Sequence, residues 1–417
     1  MYAIVGFLED LHEYLTGTRC MHGNIIRKHS KKLELGDISF PLDIKKWSHI
    51  INKSKLNEAK TIFDCLEFNQ DLNTHLDLLI KASNRWPLVL DSYKIKDNDV
   101  HFHLKRFSAI SVSIRCVLEQ GSNYGFQSKC FESRINLTND DSVQPDLTKM
   151  TLTELRASTI RDVATNILNN LTSNISFDCD IKITLNCNEK TENVIVCGAV
   201  LNDRGVKDTQ TTADELYKKR SLDMQLMAQH KYGVQIKPSW RDYFEKLGKA
   251  SVILEMLQNR THKSLKITLN SLQTANKGPS FIFYNCARIA ALLKQFDDQV
   301  ANNVYPELPL IDSVDFALLN QAEEWEMVYV FILQFPLVVV NCVSDIKLGV
   351  VNLHQLVFFL SSLSSVFSVY YRRVKILTSS KEHLLPVLFA RIYLIKAVQQ
   401  VFHTALHLLN IEPVKEM

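Results

Sequence analysis

The chain is poor in the residues that mark extended or linker-rich proteins, because its 417 residues include only 12 glycines and 10 prolines. It also shows no fixed-period repeat and no long low-complexity tract, which excludes a fibrous or solenoid architecture. Hydrophobic residues make up 46% of the chain, enough to fill more than one core. The sequence therefore predicts a folded protein of two or three domains.

Cysteine pairs and a secretion signal are also missing. The nine cysteines are an odd number and none stands in a Cys-X-X-Cys pair, which favours reduced thiols in a cytosolic or nuclear protein over a disulfide framework. Acidic residues interrupt the apolar N-terminus, so we expect no signal peptide. Polar residues interrupt two long apolar runs, Val328–Val343 and Val350–Tyr371. We expect these runs to be buried helices of a bundle, with no membrane as partner.

Sequence motifs for cofactors and metals are equally scarce. No glycine-rich loop of the dinucleotide, P-loop or methyl-donor type is visible, so the sequence carries no local signature of these cofactor sites. His403 and His407 stand one helical turn apart but lack a third ligand, which favours core or surface histidines over zinc ligands. We therefore predict no cofactor and no metal, while catalytic groups assembled across a fold stay open.

The formal net charge of +3 is too small to indicate nucleic-acid binding, but the charge is unevenly distributed. Thirteen Lys and Arg stand against seven acidic residues between Arg204 and Lys266, and nine stand against four between Arg27 and Lys60. Such stretches suit RNA phosphates, with Tyr232, Trp240 and Tyr243 available for stacking. A charge run is more often a solvated helix face, so the pattern alone leaves both interpretations open.

The pattern of apolar residues predicts an α+β protein. Apolar and polar residues alternate at Ile38–Leu42 and Val100–Leu104 among helical segments, which indicates a small α+β module over residues 1–125. The polar segment Asn136–Asp146 is predicted to be a loop or a domain boundary.

The middle and the end of the chain differ in periodicity. Strand-like runs at Ile181–Leu185 and Val194–Leu201 indicate a short α/β core over residues 126–270. Helical spacing dominates afterwards, so residues 271–417 are predicted to form an all-α domain.

The last third of the chain resembles the anticodon-binding region of arginyl-tRNA synthetases. Gly278–Ile289 is similar to the Gly-Pro-Tyr-X-Gln-Tyr-Ala-X-Ala-Arg-Ile segment at the entrance of that region, with one extra residue. Ala390–Leu394 resembles the Ala-Leu-Arg-Leu type of motif that names the DALR anticodon-binding domain. Near the other end, Val117–Gly125 is similar to the end of the additional N-terminal domain of these enzymes, which the resemblance implies contacts the tRNA elbow.

The resemblance breaks at the nucleotide-binding signature. The family has His-X-Gly-His-Leu-Arg-Ser, whereas the corresponding segment here is Thr151–Ala157, without either histidine or the glycine. Glu154 stands where a histidine would face polyphosphate, so it adds repulsion where attraction is needed. The stretch from Ile167 to Val194 is also too short for the rest of a sheet that binds arginine and ATP. We therefore expect a degenerate core and no enzyme activity.

A shortened core joined to a retained C-terminal region resembles the DALR anticodon-binding domain-containing protein family. This resemblance implies a cytoplasmic accessory protein that binds arginine tRNA and supports a tRNA 3-methylcytidine methyltransferase, with no DNA as partner. The predicted RNA-binding residues come from the motif, from position in the C-terminal domain and from the basic middle of the chain: Tyr284, Arg288, Tyr371, Arg372, Arg373, Met417, Lys218, Lys219 and Arg220. A protein scaffold without RNA binding, or a residual aminoacylating enzyme, are the alternatives.

Overall fold

The computed structural model describes residues 2–19, 25–51, 59–66, 71–126, 134–140, 143–172, 177–186, 193–232, 240–269 and 278–417. The chain divides into two compact units. The first comprises Met1–Glu119, Leu308–Gln334 and Lys381–Leu394, and the second comprises Gln120–Glu307, Phe335–Ser380 and Ile395–Met417. The three predicted domain spans stay a prediction, and Tyr232, a predicted stacking residue, has its side chain outside the described set.

The first unit contains a four-stranded antiparallel sheet with the order β1-β2-β4-β3. Its strands and helices are β1 (Arg27–Lys28), β2 (Ile38–Pro41), α2 (Leu72–Ser83), β3 (Leu90–Lys96), β4 (Asp99–Leu104) and α3 (Arg106–Gln120), after α1 (Ala3–Thr16). The predicted strands at Ile38–Leu42 and Val100–Leu104 are confirmed, because alternate residues of β4 are buried while their neighbours are half-buried.

A buried aspartate joins this sheet to a later part of the chain within the same unit. The Asp37 carboxylate accepts hydrogen bonds from the backbone N–H of Leu104 at 2.8 Å and from the indole N–H of Trp325 at 2.9 Å. Trp325 lies on α8 (Ala322–Glu326), which continues as a π-helix, Met327–Leu333. Buried polar groups need such partners, so Asp37 fixes α8 against the sheet.

The second unit contains a three-stranded parallel sheet of β5 (Arg134–Asn139), β6 (Phe177–Thr184) and β7 (Val194–Val196), with α4 (Leu152–Leu171) packed on it. Two predictions are corrected here. Asn136–Asn139 is strand and not loop, because β5 pairs with β6 and buries Ile135 and Leu137. Val194–Leu201 is not one strand, since β8 (Val200–Leu201) leaves to pair with β9 (Leu265–Lys266).

Helices α5 (Ala213–Tyr232) and α6 (Arg241–Met256) pack against each other beside β8 and β9. Gly248 is required there, because a Cβ atom at that position would lie 2.6 Å from the backbone nitrogen of Ser221. Both helices enclose an apolar core with the start of α4: Met150, Leu152, Leu155, Val200, Ala213, Leu216, Val252, Met256, Leu265 and Ile267.

The remainder is helical, as predicted, in α7 (Pro279–Ala301), α9 (Phe335–Asn341), α10 (His354–Arg373) and α11 (Leu385–Leu408). The apolar runs Val328–Val343 and Val350–Tyr371 form helices with buried apolar faces. Within the first unit, Arg391 of the DALR-like motif donates to the buried Glu324 carboxylate at 3.0 Å. This arginine therefore holds α11 against α8.

One helix in the described part of the chain, Glu382–Leu408, is long and apolar enough to cross a membrane by length and composition, and a bent pair, Ala322–Leu333 with Phe335–Leu348, passes the same test as one span. The core helices of soluble proteins pass it as well. Leu394, Ile395 and Val398 are fully buried within the protein. Of the most apolar window of the Glu382–Leu408 helix, 44% is buried within the protein.

Candidate nucleic-acid interface

Helix α7 turns one face to the core and leaves Tyr284 and Arg288 on the other. Gly278 caps the helix and Pro279 takes the first helical position, where its missing N–H costs no hydrogen bond. Ile282, Phe283, Cys286 and Ile289 are buried at helical spacing. Tyr284 and Arg288 are one turn apart on the opposite face, so their side chains are neighbours.

Helix α10 supplies the second part of the surface from its last turn. Its buried face includes Leu363, Phe367 and Tyr370, so Tyr371 follows on the outer side. Arg372 and Arg373 are exposed in the same turn, where positive charge complements the negative end of the helix dipole. Helices α7 and α10 pack against each other, which brings Tyr371 to Arg288.

Tyr284, Arg288 and Tyr371 form one contiguous group, which we name the tyrosine–arginine cluster. The Arg288 guanidinium carbon lies 4.3 Å from the centroid of the Tyr284 ring and 4.6 Å from that of Tyr371. Arg288 also donates a hydrogen bond to the Tyr284 hydroxyl at 2.5 Å. The two rings remain 39% and 41% exposed. Exposed rings and a planar cation are the groups on which unpaired bases stack.

The predicted residue Met417 lies at the end of a tail that is fixed to α6. Ile411 and Val414 of this tail are buried. Lys246 donates to the Glu412 carboxylate at 2.9 Å, and the Tyr243 hydroxyl donates to the backbone carbonyl of Glu416. Met417 itself is half-buried. Tyr243, predicted as a stacking residue, is therefore already engaged by the tail.

Two of the three predicted basic residues of α5, Lys218 and Lys219, are at least partly exposed and pair with acidic residues of the same helix. Lys218 is exposed and pairs with Asp214 at 2.6 Å, one turn away. Lys219 is partly exposed and pairs with Asp223.

The prediction that Arg220 contacts RNA is corrected by the structure, because its side chain is buried and only 1% exposed. Its guanidinium donates to Glu255 at 2.8 Å and to Asp223 at 3.0 Å. The backbone carbonyl of Thr268 is a third partner of the guanidinium. Burial raises the pKa of the Glu255 carboxyl, against the opposing effect of Arg220. Arg220 stabilises the packing of α5 on α6 and is not available to an RNA phosphate.

A groove of about 350 Å³ runs between α5 and α6. Basic residues that we did not name as RNA contacts line it together with Lys218, namely Arg241 and Lys249. Phe244 and Tyr217 form the apolar part of its wall. The charge count between Arg204 and Lys266 located this region, but only the helix geometry shows which residues share a surface.

The segment that replaces the nucleotide-binding signature begins α4. Glu154 accepts a hydrogen bond from the backbone N–H of Thr151 at 2.7 Å, and Thr151 accepts from the N–H of Glu154, which is a capping box. The hydroxyl of Thr153 is buried and accepts from the backbone N–H of Val200 at 3.1 Å. These side chains are occupied by local structure at the helix N-terminus.

Candidate metal ligands were sought among the residues that the structure describes, and no group of three or more His, Cys, Asp or Glu side chains there could hold a metal ion. His403 lies on α11 and is partly buried, which lowers its pKa. His403 is thus half-buried and His407 is exposed, whereas core or surface positions were expected for the two.

The fold defines the class of protein. The structure is similar to the solved arginyl-tRNA synthetase from Plasmodium falciparum, with a TM-score of 0.64 over 100% of both chains at 9% identity. At this identity the similarity concerns the fold alone, and it confirms the predicted α+β class with a helical C-terminal region. The architecture is thus that of an arginyl-tRNA synthetase.

Sequence comparisons identify the C-terminal region more closely. Residues 282–417 match the family model described as the DALR anticodon binding domain. The chain therefore contains a DALR anticodon-binding domain, as the sequence resemblance predicts, and the tyrosine–arginine cluster lies within it.

Two kinds of curated relative match part of the chain. The chain is 34% identical over 232 residues to the mouse protein named DALR anticodon-binding domain-containing protein 3, covering 54% of this chain and 43% of the mouse protein. It is 32% identical over 144 residues to an arginine–tRNA ligase of Borrelia hermsii, covering 34% of this chain and 22% of the ligase. The matched part therefore spans less than half the length of these relatives.

Proposed function

We propose that the protein binds tRNA without aminoacylating it and that the tyrosine–arginine cluster contacts the anticodon loop. The cluster carries this proposal: two exposed tyrosine rings sandwich one guanidinium on the surface of an anticodon-binding domain. Proteins read single-stranded RNA loops by stacking unpaired bases on such groups, and Arg372 and Arg373 beside them supply charge for the phosphates.

The finer proposal is that the bound RNA is an arginine tRNA and that its anticodon loop is presented to a 3-methylcytidine methyltransferase in the cytoplasm. Similarity to arginine–tRNA ligases supports the choice of tRNA. The resemblance to the DALR anticodon-binding domain-containing protein family supports the adaptor role. The methyl-transfer chemistry belongs to the partner in this scheme, because the sequence shows no methyl-donor loop.

The residues at the start of α4 support a non-catalytic role. Glu154 forms a helix cap in place of a histidine that would attract polyphosphate. Its negative charge opposes ATP binding at that point. We therefore expect no arginine-dependent exchange of pyrophosphate into ATP, and such exchange above background would overturn this part of the proposal.

The anticodon role is tested by the Tyr284→Ala/Tyr371→Ala variant. Loss of two stacking platforms, each worth about 1–3 kcal/mol per base, should weaken tRNA binding by at least tenfold. Equilibrium binding to labelled arginine tRNA measures this change. Phe358→Ala is a matched control, because Phe358 is an exposed aromatic residue of the same helix α10 outside the cluster. We expect that control to bind like the unmodified protein.

Unchanged affinity in the double-tyrosine variant would overturn the anticodon role, provided that thermal unfolding shows an intact fold. Sequencing of small RNA recovered with the protein from cells tests the finer proposal. We expect enrichment of arginine tRNAs and a 3-methylcytidine methyltransferase in the same eluate. Equal recovery of all tRNAs would contradict the specificity, and absence of the methyltransferase would contradict the adaptor role.

Exposed apolar side chains favour a protein scaffold as the second candidate. Leu348 is 79% exposed and Phe358 is 70% exposed, and both lie in the second unit. Large exposed apolar residues mark a protein-binding surface where they form a contiguous patch. A scaffold would retain its protein partner after ribonuclease treatment and would bind tRNA no better than other RNA, whereas the adaptor proposal requires preferential tRNA binding.

A further inference from the structure

The loop between α6 and β9 has an unusually well-anchored backbone. Arg156 of α4 is buried, and its guanidinium donates to the carbonyls of Lys263 at 2.6 Å and Arg260 at 3.1 Å. The same guanidinium also reaches the carbonyls of Gly198 and Met256. One arginine thus binds two carbonyl groups of the loop and joins them to the end of α6 and to the connection between β7 and β8.

Gly198, in the connection between β7 and β8, permits this arrangement. Its N–H donates to the carbonyl of Thr261 at 2.8 Å. A Cβ atom at position 198 would lie 2.4 Å from the carbonyl oxygen of Lys263, which no side chain could tolerate. Thr261 is buried in consequence. The loop backbone therefore cannot move inward, and its other side chains are fixed on the outside.

The outward side chains are polar, and three of them are cationic or titratable. Arg260, His262 and Lys263 are exposed, and Asn259 and Ser264 beside them are exposed as well. Among the described residues, no Asp or Glu lies within ion-pair distance of Arg260 or Lys263, whereas Lys218, Arg241 and Lys246 all have acidic partners. The loop thus presents uncompensated positive charge.

His354, the first residue of α10, belongs to the same group. The pKa of His354 is lowered, mainly by burial and to a smaller extent by the charges of Arg260 and His262. Burial, then Lys263, Arg260 and Arg156, lower the pKa of His262. Nδ1 of His354 is buried without a hydrogen-bond partner in the described part of the chain. We name Arg260, His262, Lys263 and His354 the cationic loop site.

We propose that the cationic loop site binds phosphates of the tRNA backbone, as a contact separate from the tyrosine–arginine cluster. This inference rests on the proposed tRNA binding. An arginine fork binds a phosphate through two hydrogen bonds, and a lysine adds a point charge beside it.

RNA fits this surface better than a protein does. The exposed residues of the loop, Asn259 to Ser264, are all polar, whereas the centre of a stable protein interface is apolar and depleted in charge. The loop backbone is already ordered by Arg156, so binding of phosphates costs little additional backbone entropy.

The test compares two variants that each remove two positive charges. Arg260→Gln/Lys263→Gln removes the proposed contacts. Arg204→Gln/Lys207→Gln is the matched control, because these exposed residues have the same spacing in a loop at the opposite end of the β8–β9 pair. Binding to purified arginine tRNA is measured between about 50 and 200 mM salt. Both variants should unfold like the unmodified protein, since the substituted side chains are exposed.

We expect the Arg260/Lys263 variant to bind about tenfold more weakly, with a slope of log affinity against log salt reduced by about 1–2. The control should change both quantities by less than half as much. Equal losses of tRNA affinity in the two variants would overturn the inference, because they would show an effect of the overall positive charge and not of a contact at this site. Unchanged tRNA affinity in the Arg260/Lys263 variant would also overturn the inference. If the same variant lost binding to an acidic protein while its tRNA affinity stayed unchanged, the loop would be a protein-binding site and not an RNA-binding one.

Failure of this inference is distinguishable from failure of the proposed function. If the unmodified protein does not bind tRNA, both are wrong. If it binds tRNA and loses affinity in the Tyr284/Tyr371 variant but not in the Arg260/Lys263 variant, the cationic loop site alone is wrong.

Discussion

Two arginines of the second unit, Arg220 and Arg288, have the same side chain and opposite environments. Arg220 is buried between Glu255 and Asp223, and its donors are used within the protein. Arg288 lies on the surface between the rings of Tyr284 and Tyr371. Tyr284 and Tyr371 are 39% and 41% exposed, which leaves surface that a base can cover. The sequence predicted both arginines as RNA contacts, and only one has the geometry for it.

The difference shows that the partner of a charge, and not the charge itself, decides its role. A guanidinium between carboxylates inside a protein serves the fold, because removing it leaves buried negative charge uncompensated. A guanidinium against aromatic rings is held in place while its outer edge stays available to a ligand. Variants of the two residues should therefore affect different measurements.

The largest effect is expected for Arg220→Ala. Loss of the buried cation leaves Glu255 and Asp223 without compensation, so the free energy of unfolding should fall by about 3–5 kcal/mol. Denaturant-induced unfolding followed by circular dichroism measures it. Arg241→Ala removes an exposed partner of Glu245 on α6 and should leave the unfolding midpoint unchanged. A midpoint shift no larger than that of the control would contradict the structural role of Arg220.

The converse result is expected for Arg288→Ala. The variant should fold normally, because Arg288 lies on the outer face of α7, while tRNA affinity falls about tenfold through loss of the stacked cation. Fluorescence anisotropy with labelled tRNA and a thermal unfolding curve measure the two properties. A variant that loses stability in proportion to its loss of binding would show that the cluster only fixes the packing of α7 on α10.

A smaller effect should follow pH. In the free protein the pKa values of His262 and His354 are lowered, so both rings are largely neutral near pH 7. A bound phosphate favours the charged form and raises both values, so binding takes up protons and tRNA affinity should rise several-fold from pH 7.5 to pH 6. The His262→Asn/His354→Gln variant should lack this rise. If the variant shows the same pH dependence of tRNA affinity, groups other than His262 and His354 cause it.

Much of the fold was accessible from the sequence, and the reasons are local. The helices of the C-terminal region follow from apolar spacing, and strands β2 and β4 follow from alternation. Strand β5 was missed because its many polar residues suggest a loop. Its strand conformation depends on pairing with β6, which is about forty residues further along the chain. The break between β7 and β8 depends on contacts of Gly198 with the loop near Lys263, which no local pattern contains.

The site was accessible in part for the same reason. Tyr284 and Arg288 are four residues apart on one helix, so their proximity is local, whereas the contact of Arg288 with Tyr371 needs the packing of two helices. Asp223 stands three residues after Arg220 and is visible in the sequence. Glu255, which makes the pair a buried one, is 35 residues away on α6. The cationic loop site has no sequence signal beyond its charges.

Lys218 offers the smallest and most discriminating comparison with Arg220. The two residues are close in sequence, yet Lys218 is 76% exposed and its partner Asp214 is one turn away. Lys218→Gln should leave the unfolding midpoint unchanged, because an exposed pair contributes little. If the α5–α6 groove follows the RNA backbone, this variant should weaken tRNA binding about two- to threefold and lower the salt dependence slightly. The Lys218→Gln and Arg260/Lys263 variants are measured side by side. If only the second loses tRNA affinity, the phosphate contacts are at the cationic loop site and the RNA does not follow the α5–α6 groove.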